Sequence, residues 1–325
     1  MVTSEEVLYA YRLLLGRDPE NKAVIEARLG TENWMDLREQ FIQSSEFREN
    51  FTAAVAPGNE YLMTGPSRVD VNICEDDFVL LVAHVQRAWE TLGSEKPYWS
   101  VITSPTFLPD NIQKNIDTFY ASGADSWSIF ECAAARAGVK PKSDWIALEL
   151  GSGVGRVTEQ LAPRFRRVFA CDVSRAHLDL ARARLERLGI NNVSLLLLEG
   201  LNTLLALEPI DFFYSVIVLQ HNPPPLMYRM LQIIFEKLNT GGCAYFQIPV
   251  GSHGYQFHIN KYVEQLVSGR PSMEMHMLPQ RELFRLLHES HLRILDFQTD
   301  NWTGPGFQSV SVLAEKVLLP AGLGL

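Results

Sequence analysis

The sequence lacks the features that mark secreted, membrane-spanning and metal-binding proteins. Its 325 residues include only four cysteines, which are scattered and form no Cys-x-x-Cys pair. They are therefore predicted to be reduced packing residues, and no metal site is expected. No uninterrupted apolar run approaches the roughly 20 residues that span a bilayer. Met1–Glu6 carries two acids and no basic patch before an apolar core, so we expect no secretory signal and a cytoplasmic protein.

An excess of positive charge is also missing. The formal net charge is −9 and the sequence pI is about 5.4. Because a polyanion is bound by clustered Lys and Arg, nucleic acid is not expected as a partner. With 46% hydrophobic residues, the chain is expected to be a soluble globular protein with one main domain and a smaller one.

Three glycines two residues apart follow a short apolar segment. Residues 145–150 lead into Gly-x-Gly-x-Gly at 151–155, and residues 157–161 open a helix. In such a turn the backbone can approach a ligand without interference from Cβ. A dinucleotide fingerprint requires its third glycine at the position of Arg156. The spacing therefore disfavours a nicotinamide-dependent oxidoreductase, and a plain turn before a buried helix is the simpler alternative.

An acid ends the next apolar segment. Asp172 follows residues 167–171, about twenty residues after the first glycine, where a carboxylate can accept both hydroxyls of an adenosine ribose. With Glu149 two residues ahead of Gly151, the pattern resembles the first motifs of S-adenosylmethionine-dependent methyltransferases of the class I, Rossmann-like type. The resemblance covers residues 145–315 and implies S-adenosylmethionine as cofactor.

The resemblance implies a cofactor site at the carboxyl ends of the central strands. The loop at 199–201 falls where the family's adenine-side loop lies, and Arg156 is placed to face the methionine carboxylate. Alternatives are a solvated residue for Arg156, a plain turn for the loop, and core packing for the aromatic residues. The expected cofactor contacts are Tyr120, Trp127, Glu149, Gly151, Ser152, Gly153, Gly155, Arg156, Asp172, Val173, Gly200, Leu201 and Gln220.

From Trp145 onward, strand-like and helix-like segments alternate, which predicts a parallel sheet covered on both faces. The joint at 302–306 is too short for a helical crossover, so the strand at 308–315 should run antiparallel to the one at 292–298. The expected fold is α/β: a seven-stranded Rossmann-like methyltransferase sheet with an antiparallel last strand, a helical cap and a small N-terminal helical module.

The domain organisation follows from composition. We predict an N-terminal helical module at 1–52, a Pro- and Gly-containing linker at 53–68, a helical cap at 69–140 and the cofactor-binding domain at 141–318. Within the cap, helices are expected at 78–92, 111–120 and 126–137, with a break at 121–123.

The N-terminal module carries a resemblance of its own. The residues at 11–19 and 44–48 resemble a small bacterial helical domain of unknown function that recurs beside enzymes handling cell-surface glycans. A three-helix packing module is the alternative.

The loop after the fourth strand carries Gln220, His221 and Asn222 ahead of three prolines that fix its backbone. In the methyltransferases that this sequence resembles, that loop borders the methionine part of the cofactor. Methyl transfer is a displacement that requires alignment and removal of the nucleophile's proton. His221 is the candidate general base, since an unperturbed His has a pKa of about 6.5. A packing or cofactor-contacting histidine is the alternative.

The connection from Pro249 to Pro279 is unusually long, and such connections are often functional. We expect this connection to cover the site and to contact the acceptor selectively. The predicted acceptor contacts are Tyr98, Trp99, His253, His258 and Tyr262. If His221 is only structural, the next candidates for the base are Tyr120, His253, His258 and Tyr262.

The expected reaction is O-methylation of a sugar or glycan-containing intermediate. A small natural product is the alternative acceptor, and a catalytically inactive cofactor-binding scaffold is the alternative class. Oligomeric state and the methylated atom are left open by the sequence.

Overall fold

The computed structural model describes residues 2–15, 17–47, 67–266, 272–304 and 306–318. These residues fall into two compact units, an N-terminal one that ends by residue 63 and a larger one that carries the sheet. The predicted linker at 53–68 lies outside the described residues except for Ser67 and Arg68.

The N-terminal unit is helical and has its own core. Its helices are α1 (Ser4–Ala10), a π-helix (Tyr11–Leu15), α2 (Lys22–Glu26) and α3 (Trp34–Ile42). Helix α1 begins in a capping box, in which Thr3 and Glu6 satisfy each other's backbone amides. The core packs Val7, Ala10 and Leu37 around Phe41. The resemblance of this unit to a glycan-associated domain stays a prediction.

The larger unit is built on one seven-stranded sheet. Strands β1 to β5 pair in parallel with one another, and β7 runs antiparallel to both β5 and β6. The strands are β1 (Ile146–Leu150), β2 (Arg167–Asp172), β3 (Val193–Leu197), β4 (Ile210–Ser215), β5 (Leu238–Gly251), β6 (Leu292–Asp300) and β7 (Gln308–Lys316). Their order is β3-β2-β1-β4-β5-β7-β6. The predicted α/β sheet with its antiparallel last strand is confirmed.

Helices cover both faces of this sheet. They are α4 (Glu75–Glu95), α5 (Pro97–Val101), α6 (Pro109–Ala137), α7 (Thr158–Leu161), α8 (Arg175–Arg187), α9 (Leu201–Leu205), α10 (Pro224–Lys237), α11 (Ile259–Leu266) and α12 (Gln280–Glu289). One core cluster packs α4, α10 and α12 against the sheet, and a second packs α6 and α7 against it. No helix in the described part of the chain is long and apolar enough to cross a membrane.

Helix α6 is continuous, so the predicted break at 121–123 is wrong. Gly123 lies inside the helix, where a Cβ would come within 2.2 Å of the main-chain oxygen of Arg156. The glycine therefore serves close approach of the helix to the glycine loop and does not end the helix. The helix finally stops at Gly138, which caps it in the left-handed conformation with φ of 68°.

Removal of residues 1–50 is expected to leave the larger unit folded, because the N-terminal helices enclose their own apolar core. The truncated chain should melt cooperatively and keep the affinity of the full chain for S-adenosylhomocysteine, as measured by calorimetry. An insoluble product that binds a dye for apolar surface would instead show that the two units share a core.

Candidate active site

The glycine loop is tied to the end of β2. The amides of Gly151 and Ser152 donate to the main-chain oxygen of Cys171, at 2.8 and 3.0 Å. The amide of Gly153 donates to Asp172 Oδ2 at 2.8 Å. Because these amides are satisfied within the protein, the loop is held in one position at the carboxyl ends of β1 and β2.

The glycines also allow neighbouring side chains to pack directly on this loop. Gly151 and Gly153 have φ of 77° and 53°, a region that favours glycine. A Cβ on Gly151 would lie 2.2 Å from a methyl of Val218, and one on Gly153 would lie 2.8 Å from a methyl of Val101. The loop after β4 and the cap helix α5 therefore both rest on the glycine loop.

Asp172 is buried at the point where the ribose of the cofactor is expected. Besides the Gly153 amide, it accepts the amide of Ser174 on Oδ1 at 2.9 Å. His177 lies on its other side, with Nδ1 3.5 Å from Oδ1 and Nε2 2.9 Å from Ser100 Oγ of α5. The carboxylate thus positions the loop, and each of its oxygens keeps a further lone pair for a ligand.

Among the described residues, the buried polar atoms without a hydrogen-bond partner include Ser152 Oγ of the glycine loop and Gln220 Oε1 of the loop after β4, besides Arg156 Nε and His177 Nδ1 nearby. Buried polar atoms are nearly always hydrogen-bonded in native proteins. A polar ligand between the two loops would satisfy Ser152 Oγ and Gln220 Oε1, so the residues present fit a cofactor with amino, carboxylate and hydroxyl groups.

Glu149 is enclosed below the loop, 3% exposed. Thr158 Oγ1 donates to its Oε2 at 2.6 Å. Burial raises the pKa of Glu149 to about 8, against the lowering effects of the Thr158 hydrogen bond and the Arg156 charge. Burial therefore favours the protonated form of this carboxyl group more than in an exposed glutamate.

The guanidinium of Arg156 is not solvated but hydrogen-bonded within the protein. Its guanidinium donates to the main-chain oxygen of Ser122 at 2.8 Å and to Ser126 Oγ at 2.9 Å, both on α6. Burial lowers its pKa. Its Nε has no partner among the described residues. Arg156 thus fastens the cap helix to the glycine loop.

The two predicted aromatic contacts lie in different places. Tyr120 lies against the glycine loop, donates its hydroxyl to the main-chain oxygen of Val154 at 3.3 Å, and has the guanidinium of Arg184 4.0 Å from its ring centre. Trp127 lies in the core between α6 and the sheet, where its Nε1 donates to Glu131 at 2.6 Å. The structure does not bring Trp127 together with Asp172, Ser152 and Gln220.

The adenine-side loop is open. Gly200 precedes α9, and a Cβ there would meet nothing within 4 Å. Leu201 and Val173 are partly buried and pack on the edge of the main core cluster.

His221 is 8% exposed in a 3-10 turn after β4. Its Nδ1 lies 2.9 Å from the main-chain oxygen of Glu274, so Nδ1 carries the proton and Nε2 the lone pair. The side-chain amide of Gln220 points at Nε2 from 3.3 Å. Burial lowers the pKa of His221 to about 4; the Glu274 oxygen raises it and the charge of His276 lowers it further. The imidazole is therefore neutral at physiological pH.

Glu274, which the sequence analysis missed, is the centre of a polar cluster beside His221. Its carboxylate receives His84 Nε2 at 2.9 Å, the Tyr262 hydroxyl at 2.6 Å and His276 Nε2 at 2.9 Å. Burial raises the pKa of Glu274, but the hydrogen bonds from His276, Tyr262 and His84 outweigh it and lower the pKa to about 2. The only sequence signal was His84 on the otherwise apolar buried stripe of α4.

The predicted acceptor residues are spread out. Tyr98 and Trp99 are partly exposed on α5, where Tyr98 packs edge-on against Phe119. His253 is exposed, and His258 Nδ1 lies 3.9 Å from Asp70. Only Tyr262 of this set reaches the surroundings of His221, through Glu274. Within the described ranges, no group of three or more His, Cys, Asp and Glu side chains is arranged to hold a metal ion.

Ile217 is a strained residue at the same edge. Its φ is 59°, which is rare for a β-branched residue. Its amide donates to Gln247 Oε1 at 3.0 Å, and Gln247 in turn donates to Ser309. This conformation follows the end of β4 at Ser215 and turns Val218 onto Gly151.

A cavity of about 410 Å³ lies elsewhere, at the amino-terminal edge of the sheet. Arg167 in its lining is already paired with Glu208. Since ligands of open α/β sheets bind at the carboxyl ends of the strands, this cavity is not the candidate site.

Part of the chain matches a known protein family. Residues 147–242 match the family profile described as a methyltransferase domain. A comparison with curated protein sequences returned no match.

Among solved structures, the chain is similar to magnesium protoporphyrin IX methyltransferase from Synechocystis with bound S-adenosylhomocysteine (16% identity, 72% of this chain and 99% of that one, TM-score 0.49). It is also similar to an S-adenosylmethionine-dependent methyltransferase from Clostridium acetobutylicum (15%, 64% and 100%, TM-score 0.44). A third is geranyl diphosphate C-methyltransferase from Streptomyces coelicolor (16%, 57% and 74%, TM-score 0.43). Identities of this size say nothing about a shared acceptor.

The sheet order, the glycine loop and the family match define residues 147–242 as a Rossmann-like methyltransferase domain. Within these residues the chain therefore carries a methyltransferase domain.

Gly123→Ala should destabilise the protein, although alanine in an exposed helix normally gains up to about 1 kcal/mol over glycine. The new methyl would overlap the Arg156 carbonyl and should cost about 1–3 kcal/mol. The free energy of unfolding from urea titration tests this. In the control, Ala124→Gly at the exposed next position should lose only the helix-propensity difference of about 1 kcal/mol. A more stable Gly123→Ala variant would contradict the close approach.

Proposed function

We propose that this methyltransferase transfers a methyl group to a hydroxyl of a sugar or sugar-containing intermediate, with His221 as general base. The observation that carries the proposal is the tautomer of His221: Nδ1 donates to Glu274, so the lone pair of Nε2 is available beside the unpartnered Gln220 Oε1. A hydroxyl that displaces the long Gln220 contact could give its proton to Nε2.

Residues of both loops would hold the cofactor. Asp172 would accept the ribose hydroxyls, while Ser152 and Gln220 would bind polar groups of the methionine part. Gly200, Leu201 and Val173 would border the adenine. S-adenosylmethionine supplies a methyl group activated by its sulfonium. The protein's own task is to align the acceptor oxygen, exclude water and accept one proton at Nε2 of His221.

A sugar acceptor is favoured by the resemblance of the N-terminal unit to a domain found beside glycan-handling enzymes. The partly exposed rings of Tyr98 and Trp99 on the cap favour the second candidate, an aromatic small natural product. The four free cysteines fit a reducing compartment, and we propose the cytoplasm as the place of reaction.

A panel experiment separates these acceptors. The full chain is incubated with methyl-labelled S-adenosylmethionine and either nucleotide sugars, simple glycosides, or phenolic polyketides, and label in the product is counted. Transfer to a sugar hydroxyl is expected. Transfer only to phenols would favour the natural-product acceptor, and tight cofactor binding without transfer to any of the panel would favour an inactive scaffold.

Asp172→Ala should weaken the binding of S-adenosylhomocysteine about ten- to hundredfold. Loss of hydrogen bonds to a charged acceptor costs roughly 1.5–3 kcal/mol. The variant should also melt at a lower temperature, because the Gly153 and Ser174 amides lose their acceptor. Calorimetry and a melting curve measure the two effects. Asp179→Ala, on the exposed face of α8, is the control and should bind as the parent does. Unchanged binding by Asp172→Ala would remove Asp172 from the cofactor site.

His221→Ala should lower kcat by about a hundred- to ten-thousandfold with little change in cofactor affinity, since the proton is removed only in the transition state. Because the neutral imidazole is the base and burial lowers its pKa to about 4, the parent's kcat should stay level down to about pH 5.5 and fall only as the pH approaches 4. His288→Ala, exposed on α12, is the control. A kcat midpoint near pH 6.5, or a defect confined to cofactor binding, would count against His221 as a buried base.

A further inference from the structure

The segment before α12 lies directly against the loop that carries His221. The main-chain oxygen of Glu274 accepts the Nδ1 proton of His221 at 2.9 Å. Two residues further, the amide of His276 donates to the main-chain oxygen of Gln220 at 2.7 Å. The position of the 274–276 backbone therefore decides which nitrogen of His221 carries the proton.

That backbone is held by the side chain of Glu274. Its carboxylate joins three parts of the fold: His84 of the cap helix α4, Tyr262 of α11, and His276 of its own segment. Tyr255 extends the cluster, with its hydroxyl 2.8 Å from His276 Nδ1. The donors are paired with an ionised carboxylate, which makes such hydrogen bonds about twice as strong as neutral ones.

The surroundings of the carboxylate are partly closed, since the Glu274 side chain is 28% exposed. His84 is 4% exposed and His276 6%, and the rings of Phe257 and Tyr262 lie 4.9 Å apart beside them. A partly buried carboxylate with fewer donors would be more costly to keep ionised, so the donors act as a set. Removing the carboxylate leaves two buried imidazoles and a phenol without their shared acceptor.

We propose that Glu274 is a positioning residue for the methyl-transfer reaction, which fixes the Nδ1-protonated tautomer of His221 by clamping its own main chain to His84, Tyr262 and His276. The inference rests on the proposed role of His221 as base. Glu274 does not touch the reacting atoms. Its contribution is to keep the Nε2 lone pair of His221 directed away from the 272–278 segment.

The test is nitrogen NMR of the full chain labelled at histidine, with S-adenosylhomocysteine as the probe of the cofactor site. The parent should show His221 as a single tautomer, protonated at Nδ1, that stays neutral well below pH 6.5. In Glu274→Ala the His221 signals should show both tautomers, and the titration midpoint should rise towards 6.5 as water reaches the ring. Glu274→Gln keeps the side-chain size and should fall between the two.

A matched control comes from the same connection. Glu264, exposed on α11, changed to alanine should leave the His221 signals and the affinity for S-adenosylhomocysteine as in the parent. Tyr262→Phe removes a single donor and should give a smaller shift in the same direction. If Glu274→Ala fails to fold, Glu274→Gln and Tyr262→Phe test the proposal instead, because both substitutions keep the packing volume.

The outcomes test the positioning role of Glu274, called the clamp below, separately from the role of His221 as base. An unchanged His221 tautomer and midpoint in the folded Glu274 variants would overturn the clamp, whatever the activity. If the tautomer responds as expected, the clamp stands. In that case, with the acceptor that the panel identifies, Glu274→Ala should lower kcat at least tenfold while KM changes less. A kcat unaffected in both Glu274→Ala and His221→Ala would reject His221 as base and leave the clamp in place.

Discussion

The hydrogen bond from the Gly153 amide to the carboxylate of Asp172 is the contact on which the candidate site depends. It joins the turn after β1 to the end of β2, so the loop cannot move without losing a charged acceptor. The loop's next residues then place the cap: Val154 receives the hydroxyl of Tyr120, and Arg156 binds Ser122 and Ser126 of α6. A ribose bound at Asp172 would therefore act on a carboxylate that is linked through hydrogen bonds to both the loop and the cap helix.

The loop after β4, at the same edge of the sheet, is held in place by residues that are distant in sequence. Ile217 is strained and held by Gln247, and His221 is held by Glu274. The proposed cofactor contacts lie mostly in the first half of the domain, and the long connection reaches Gln220 and His221 through the main chain of His276 and Glu274. The acceptor side can thus vary while the cofactor side keeps its geometry.

The sequence predicted the positions of the glycine loop and of Asp172 at strand ends, and the seven strands, because their signals are local. It could not predict Glu274, because the contact with His221 joins residues 53 positions apart and uses a main-chain oxygen. Gly123 was misread as a helix break, since sequence alone does not show that Arg156 lies 2.2 Å from its missing Cβ. Helical spacing likewise does not show that Trp127 packs in the core between α6 and the sheet, whereas Tyr120 packs against the glycine loop.

The strand order has a consequence for synthesis of the chain on the ribosome. Strand β6 is made before β7 but lies outside it, so it has no partner until β7 has been made. Until then, one edge of β5 and both edges of β6 present open hydrogen-bonding groups. The nascent protein passes through a stage in which a five-stranded parallel sheet is exposed to wrong pairing, and chaperones that shield strand edges should matter most at that stage.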